Sequence, residues 1–192
     1  MSKLEGEQQR ALQDIEFIKG LLARNERKLG EASPFMYVWG AYLTVGFIGM
    51  HFDQKEWPIW YWGIAAVICG AISGIIGSRM LKTQGGGEGG FSTWMYVLPF
   101  AAMFAAGSFM LLTNMINTDY TALFWTILIA LSYIAMGSMA GKGPVYLGLW
   151  FILLAIVTRL LLDYQYIVLG VFGGGSIIVF GYLLQQRRKR NG

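Results

Sequence analysis

One arginine stands inside a long apolar stretch of the sequence. Arg159 follows the run "PVYLGLWFILLAIVT", and Asp163 comes four residues later. An ionisable residue within a membrane span is a functional-site hypothesis by default. On a helix, Arg159 would lie about 6 Å below the boundary marked by Asp163, with its side chain leaning toward the start of the helix and away from that boundary. We therefore expect a carboxylate partner: Asp163 on the same helix, or Asp119 or Asp53 on another.

These residues belong to a set of ionisable side chains that the predicted topology brings to one end of the protein, which we call the outer polar cluster: His51, Asp53, Asp119, Arg159 and Asp163. Two interpretations stay open. Buried charges on different helices can fix the register of those helices. Alternatively, they line an outward-facing vestibule for a solute or a lipid headgroup.

The remaining chemistry-bearing residues are sparse. The chain has one histidine, His51, and one cysteine, Cys69, and neither a catalytic triad nor a zinc site is suggested by such a set. The stretch "GGGEGG" at 85–90 matches a dinucleotide fingerprint in letters only, because no strand precedes it. We predict no catalytic, cofactor-binding or metal-ligating residues and no cofactor.

The elements that must position the outer polar cluster are long apolar runs. Of the 192 residues, 55% are hydrophobic and 14% are charged, against about 25% charged in soluble domains. Runs of about 20 residues are long enough to cross a bilayer as helices. The sequence therefore predicts an all-α, polytopic membrane protein with a six-helix transmembrane domain over 33–186, arranged as three helical hairpins, with spans at 34–52, 57–80, 93–115, 120–140, 144–162 and 166–184.

The distribution of basic residues predicts the orientation. Of the 15 lysines and arginines, 13 fall on the side that holds both termini, one (Lys55) falls on the other side, and Arg159 falls within a span. By the positive-inside rule both termini are cytoplasmic, in the inner (plasma) membrane. Basic residues that flank membrane spans also explain the net charge of +4, so we expect the lipid bilayer and no nucleic acid as a partner.

Residues 1–32 predict a cytoplasmic amphipathic helix, and 187–192 form a basic tail. Apolar side chains on the helix recur every three to four residues and form one face, which we call the N-terminal stripe: Leu4, Ala11, Ile15, Ile18 and Leu22. This face either docks on a membrane or cytoplasmic partner protein, or lies on the membrane surface or the protein's own cytoplasmic face.

Small residues recur every four positions in two spans and are candidate helix-packing residues: Ala66, Gly70, Gly74 and Ser78 in the second span, Gly170 and Gly174 in the sixth. Such residues let helix backbones approach closely. They predict packing within the bundle or, in the sharper interpretation, a homo-oligomer interface.

The segments "DIEFIKGLLARN" and "PFMYVWGAYLTVGFIG", with the basic tail "QQRRKRNG", resemble a loose group of small bacterial inner-membrane proteins. In that group an amphipathic helix precedes six spans. The resemblance implies this architecture and assigns no functional residue.

We therefore expect a non-enzymatic integral membrane protein, an accessory, regulatory or scaffold component whose N-terminal helix docks on a partner. One alternative is a small-solute carrier or substrate-binding membrane module that uses the outer polar cluster. A second is an intramembrane enzyme, which the lone histidine and the lack of a convergent acid–base set disfavour.

Overall fold

The computed structural model describes residues 9–10, 12–17, 19–20, 31–83 and 89–190. This part of the chain is helical throughout apart from short connections, and it contains no strand. The prediction of an all-α protein is confirmed at this level. The short N-terminal pieces are also helical, and each of their residues is exposed.

Five long helices come first: α1 (Ser33–Phe52), α2 (Trp57–Thr83), α3 (Gly89–Leu112), α4 (Thr121–Ala140) and α5 (Lys142–Leu160). A one-turn helix α6 (Gln165–Val168), a π-helical segment (Leu169–Gly174) and α7 (Gly175–Arg190) then follow without a break. Single turns of 3₁₀ helix, Thr118–Tyr120 and Leu162–Tyr164, precede α4 and α6. The five long helices begin and end within four residues of the predicted spans. The last helix continues to Arg190, six residues past the predicted span end at 184 and into the predicted tail.

Four helical stretches of the described residues are long and apolar enough to cross a membrane: Ser33–Phe52, Trp57–Arg79, Lys142–Leu160 and Leu162–Arg187. Two further apolar stretches, Leu98–Leu112 and Thr121–Gly137, are shorter. Length and composition therefore support a membrane protein. The sequence predicts six spans, two more than the four that meet these criteria.

Two helix pairs form the centre of the fold, α4 with α5, and α1 with the π-helical segment and α7. Phe151 of α5 is 2% exposed, and its ring stacks on Tyr133 of α4 with ring centroids 6.0 Å apart. Ile177 of α7 is 1% exposed and joins the same core. The two pairs thus share one apolar interior, while α2 packs against α1 and α3 packs against α4.

Glycines set the separation of the paired helices. A methyl group built on Gly148 of α5 would lie 2.7 Å from the carbonyl oxygen of Ala130 on α4. On the other pair, one built on Gly174 would lie 2.6 Å from the backbone nitrogen of Thr44 and 2.8 Å from the carbonyl oxygen of Gly40. All three distances are shorter than the contacts that real Cβ atoms make. Both interfaces therefore bring backbone against backbone.

Aromatic side chains join α2 to α1. The Tyr61 hydroxyl donates to the carbonyl oxygen of Tyr42 at 2.9 Å, and the Tyr42 hydroxyl donates to the carbonyl oxygen of Trp62 at 3.1 Å. The Trp57 indole N–H donates to the carbonyl oxygen of Gly46 at 3.0 Å, and its ring lies against Gly49. Apolar rings with polar tips can thus hold two helices together and pair their own polar atoms at the same time.

The topology gives the bundle two ends. At one, α1 begins and α7 ends, and the Tyr37 hydroxyl donates to Oε1 of Gln185 at 2.9 Å. We call the opposite end, which holds the connections after α1, before α4 and after α5, the distal end. The outer polar cluster was predicted for the distal end.

Candidate functional site

A cleft of about 350 Å³ opens at the distal end of the bundle, and we call it the distal cleft. Its lining comes from three connections and the helix ends beside them: Gln54, Asp119, Tyr120, Leu123, Thr158, Arg159, Leu162, Gln165 and Tyr166. No single helix supplies more than a few of these side chains. The distal cleft therefore exists only when the connections that follow α1, precede α4 and follow α5 converge.

Local sequence explains why each connection presents polar side chains. Asp119 lies in the 3₁₀ turn before α4, and its backbone N–H donates to Oδ1 of Asn117 at 3.1 Å. Thr158 and Arg159 occupy the last turn of α5, and Gln165 opens α6. Thr158 is 2% exposed, and its hydroxyl donates to the carbonyl oxygen of Ala155 at 3.0 Å. Thr158 therefore contributes a buried hydroxyl whose donor is already used within its own helix. The neighbouring Arg159 contributes a positive charge to the lining.

Two opposite charges face the distal cleft without forming a salt bridge. Arg159 and Asp119 both line it, and both are exposed. Among the residues that the structure describes, no carboxylate oxygen lies within 4.0 Å of the Arg159 guanidinium. The pairing of Arg159 with Asp119 across helices was one of the predicted alternatives. The structure brings the two residues to one cleft and leaves a gap between them.

The predicted pair on one helix, Arg159 with Asp163, does not form. The spacing of four residues assumed a helix that continues to Leu162, but α5 ends at Leu160. Leu161 has φ −115° and ψ 59°, which is outside the helical region, and Asp163 lies in the following 3₁₀ turn. The change of backbone direction takes Asp163 off the helical face of Arg159. Asp163 is exposed and is not among the residues that line the distal cleft.

The carboxylate of Asp53 accepts hydrogen bonds from backbone N–H groups that follow it in the chain. Its Oδ1 accepts from the backbone N–H groups of Lys55 at 2.9 Å and Glu56 at 3.0 Å, and its Oδ2 accepts from Trp57 at 3.2 Å. These bonds, that of Glu56 first and then that of Lys55, hold the pKa of the Asp53 carboxyl below its usual value of 3.8. Asp53 is the C-cap residue of α1, and its carboxylate orders the connection up to Trp57, the first residue of α2. The neighbouring Gln54 lines the distal cleft instead.

His51 lies at the end of α1, half-buried, with its ring centroid 5.4 Å from that of Phe52. It does not line the distal cleft. Of the outer polar cluster, the structure thus brings Asp119 and Arg159 to one cavity, whereas His51, Asp53 and Asp163 do not line it.

The candidate packing residues divide into two groups. Gly170 and Gly174 contact α1, where a methyl group on Gly170 would lie 3.1 Å from the carbonyl oxygen of Thr44. In α2, a methyl group on Gly70 or Gly74 would meet nothing within 4 Å, and Ser78 is exposed while Ala66 is half-buried. Among the described residues, α1 is the helix that packs closely on α2, and it does so at the aromatic residues near the start of α2. Within the described part of the chain, no other helix therefore packs against α2 at Gly70 and Gly74.

Only one residue of the N-terminal stripe lies within the described residues. Ile15 is helical and 48% exposed; Leu4, Ala11, Ile18 and Leu22 fall outside the described residues. Leu12, beside the stripe, is 61% exposed. This short helical stretch therefore presents apolar side chains to its surroundings.

Sequence reasoning missed five polar members of the distal cleft: Gln54, Tyr120, Thr158, Gln165 and Tyr166. Each is uncharged, so a search for ionisable side chains passes over it. Three of them adjoin predicted residues or loop acids along the chain, and that adjacency was the available signal.

No family model, no curated protein and no solved structure matches this chain. The described residues contain no group of three or more histidine, cysteine, aspartate or glutamate side chains that could hold a metal ion.

Proposed function

We propose that this chain is a non-enzymatic integral membrane protein, an accessory or scaffold component whose N-terminal helix docks on a partner protein. The observation that carries the proposal is the exposure of Ile15 and Leu12 on a helical stretch that precedes the first apolar helix. Exposed apolar side chains in a row are typical of helices that bind in a groove. The partner that fits is a protein of the membrane or the cytoplasm with an apolar groove.

The proposal includes the finer architecture. We infer six membrane crossings, with the two shorter apolar stretches completing the set, and both termini in the cytoplasm of a bacterial cell. The positive-inside distribution of lysine and arginine supports this orientation. In this arrangement the N-terminal stripe faces cytoplasmic partners and the distal cleft faces outward.

Site-specific photocrosslinking in intact cells tests the docking proposal. A photoreactive amino acid at position 15 lies on the N-terminal stripe, whereas the same residue at position 13 lies on the opposite face of the helix. We expect crosslinks to one second protein from position 15 and none from position 13. The crosslinks from position 15 should be lost when Leu12→Asp is added, but not when the control Gln13→Asp is added. Crosslinks from position 15 to lipid alone would favour the membrane-surface alternative and contradict docking.

A second function is favoured by a separate observation, the shared distal cleft of Arg159 and Asp119. We propose that the distal cleft makes the protein a substrate-binding module or small-solute carrier. Native mass spectrometry of the full chain should then show a bound species that Arg159→Ala loses. If wild type and variant carry the same species, the distal cleft is not its binding site.

A further inference from the structure

The charges of the distal cleft have hydrogen-bonding capacity that the described chain leaves unused. A guanidinium offers five N–H donors in a planar fork, and a carboxylate offers about four acceptor positions. Neither Arg159 nor Asp119 forms a salt bridge within 4.0 Å among the described residues, although both line the same cavity. Two opposite charges that line one cavity without pairing with each other are both available to a third group bound in that cavity.

The size of the distal cleft limits what that group can be. Small-molecule sites span about 300–1,000 Å³, and this cleft of about 350 Å³ lies at the lower end. The amides of Gln54 and Gln165 and the hydroxyl of Tyr166 add neutral hydrogen-bonding groups to its lining. Leu123 and Leu162 add an apolar side, and Leu162 is 52% exposed. A molecule as small as an amino acid or a phospholipid headgroup fits this volume and chemistry.

The charge pattern then selects the class of ligand. A ligand with only negative charge would gain from Arg159 and be opposed by Asp119, and a purely cationic ligand would meet the reverse. A zwitterion places each charge beside its complement. We propose that the distal cleft binds a zwitterion, with its anionic phosphate or carboxylate on Arg159 and its ammonium group on Asp119. This inference rests on the proposed binding function of the distal cleft and names the ligand class.

The cleft lies where helices α1 and α5 end, at Phe52 and Leu160, next to predicted membrane boundaries. Two sources can supply a zwitterion there, the headgroup of a membrane phospholipid and a free solute. Both present the same paired charges, and they differ in whether acyl chains contribute to binding.

Native mass spectrometry of the full chain, titrated with defined probes, tests the proposal. The probes are phosphatidylethanolamine, phosphatidylglycerol with the same acyl chains, and soluble glycerophosphoethanolamine. We expect wild type to prefer phosphatidylethanolamine, and Arg159→Gln and Asp119→Asn each to weaken its binding about tenfold or more, since each removes a charge-assisted contact. Competition by glycerophosphoethanolamine identifies the headgroup chemistry alone as sufficient, whereas binding of only the intact lipid identifies the membrane as the source.

Matched variants control for charge and folding. Lys55→Gln and Asp163→Asn remove one charge each from residues that do not line the distal cleft, and both should bind phosphatidylethanolamine like wild type. Arg159→Lys keeps the charge without the planar fork and should retain part of the affinity. Circular dichroism and the thermal midpoint show whether each variant is folded.

The possible results distinguish failure of the zwitterion proposal from failure of the proposed ligand-binding function of the distal cleft. If phosphatidylglycerol binds as tightly as phosphatidylethanolamine, or if Asp119→Asn changes nothing while Arg159→Gln abolishes binding, the zwitterion is wrong and an anion site remains. If no probe binds in an Arg159-dependent way, the zwitterion proposal fails for these headgroups. If native mass spectrometry then finds no other Arg159-dependent species, the binding function of the distal cleft fails as well.

Discussion

Arg159 shows how strongly one residue's role depends on where its helix ends. In a span that runs to residue 162, with its side chain leaning away from the boundary, it would be expected to need a carboxylate partner on its own face or on a neighbouring helix. In the structure it occupies the last turn of α5, where a cation interacts favourably with the unpaired carbonyl groups of the helix end. It is also exposed. Arg159 therefore has no need of an internal ion pair to remain at this position.

This position predicts that Arg159 contributes little to folding. We expect Arg159→Gln to change the free energy of unfolding by less than about 1 kcal/mol, because only the interaction with the helix end is lost. Phe151→Ala, which empties a core position that is 2% exposed, should destabilise the protein far more. Thermal unfolding of both variants in detergent measures the difference. Equal destabilisation would show that Arg159 is a structural residue.

Asp53 predicts a pH-dependent contribution to stability. Its pKa is lowered in the folded protein, so the stabilisation is fully present above the usual value of 3.8 and is lost as the pH falls through the lower folded value. We expect Asp53→Ala to lower the unfolding temperature at neutral pH, with Asp53→Asn intermediate because it keeps one acceptor oxygen. The difference between wild type and Asp53→Ala should shrink below about pH 4.

The exposed acid Asp163 provides the control for that experiment. Asp163→Asn removes the same charge from a connection at the same end of the bundle and should leave the unfolding temperature unchanged at neutral pH. A pH-independent gap between wild type and Asp53→Ala would show that the ionised Asp53 carboxylate does not stabilise this connection.

At the scale of elements, apolar runs predicted where helices lie and left open which helices pair. The helix boundaries follow from local signals such as Pro34 in the first turn of α1 and from the polar connections. The pairing of α1 with the π-helical segment depends on Gly40 and Thr44 meeting Gly174, and no local pattern links these positions. The same limit applies to the distal cleft. Asp119 and Arg159 were predicted, but the convergence of three connections follows only from tertiary packing.

Gly174, the last residue of the π-helical segment, gives a sharp test of that pairing. Gly174→Ala should destabilise the protein by about 1–3 kcal/mol, because the added methyl group would meet the backbone of Thr44 and Gly40. Gly175→Ala is the matched control, since a methyl group there meets nothing within 4 Å and alanine favours a helix. Thermal unfolding of the two variants should separate them. If Gly175→Ala is the more damaging, the α1 interface is not where the structure places it.

At the scale of the whole molecule, α2 is the least buried of the four helical stretches that are apolar and long enough to cross a membrane. Only 6% of its most apolar 18-residue stretch is buried, and Gly70 and Gly74 face open space. In a membrane, lipid tails can cover such a face at little cost because they are as apolar as the side chains. The core formed by α1, α4, α5 and α7 therefore does not depend on the small residues of α2, and a second copy of the chain packing there stays a prediction.

The orientation of the molecule is open to a direct test with one reactive residue. In a Cys69→Ser background, we place a cysteine at Lys55 in the distal connection or at Arg187 near the end of α7. Both positions are exposed, and both substitutions remove one positive charge, so they are matched. With both termini cytoplasmic, a membrane-impermeant maleimide should label Lys55→Cys in intact cells and Arg187→Cys only after permeabilisation. The reverse pattern would invert the topology and turn the distal cleft toward the cytoplasm, where a ligand would have to come from inside the cell.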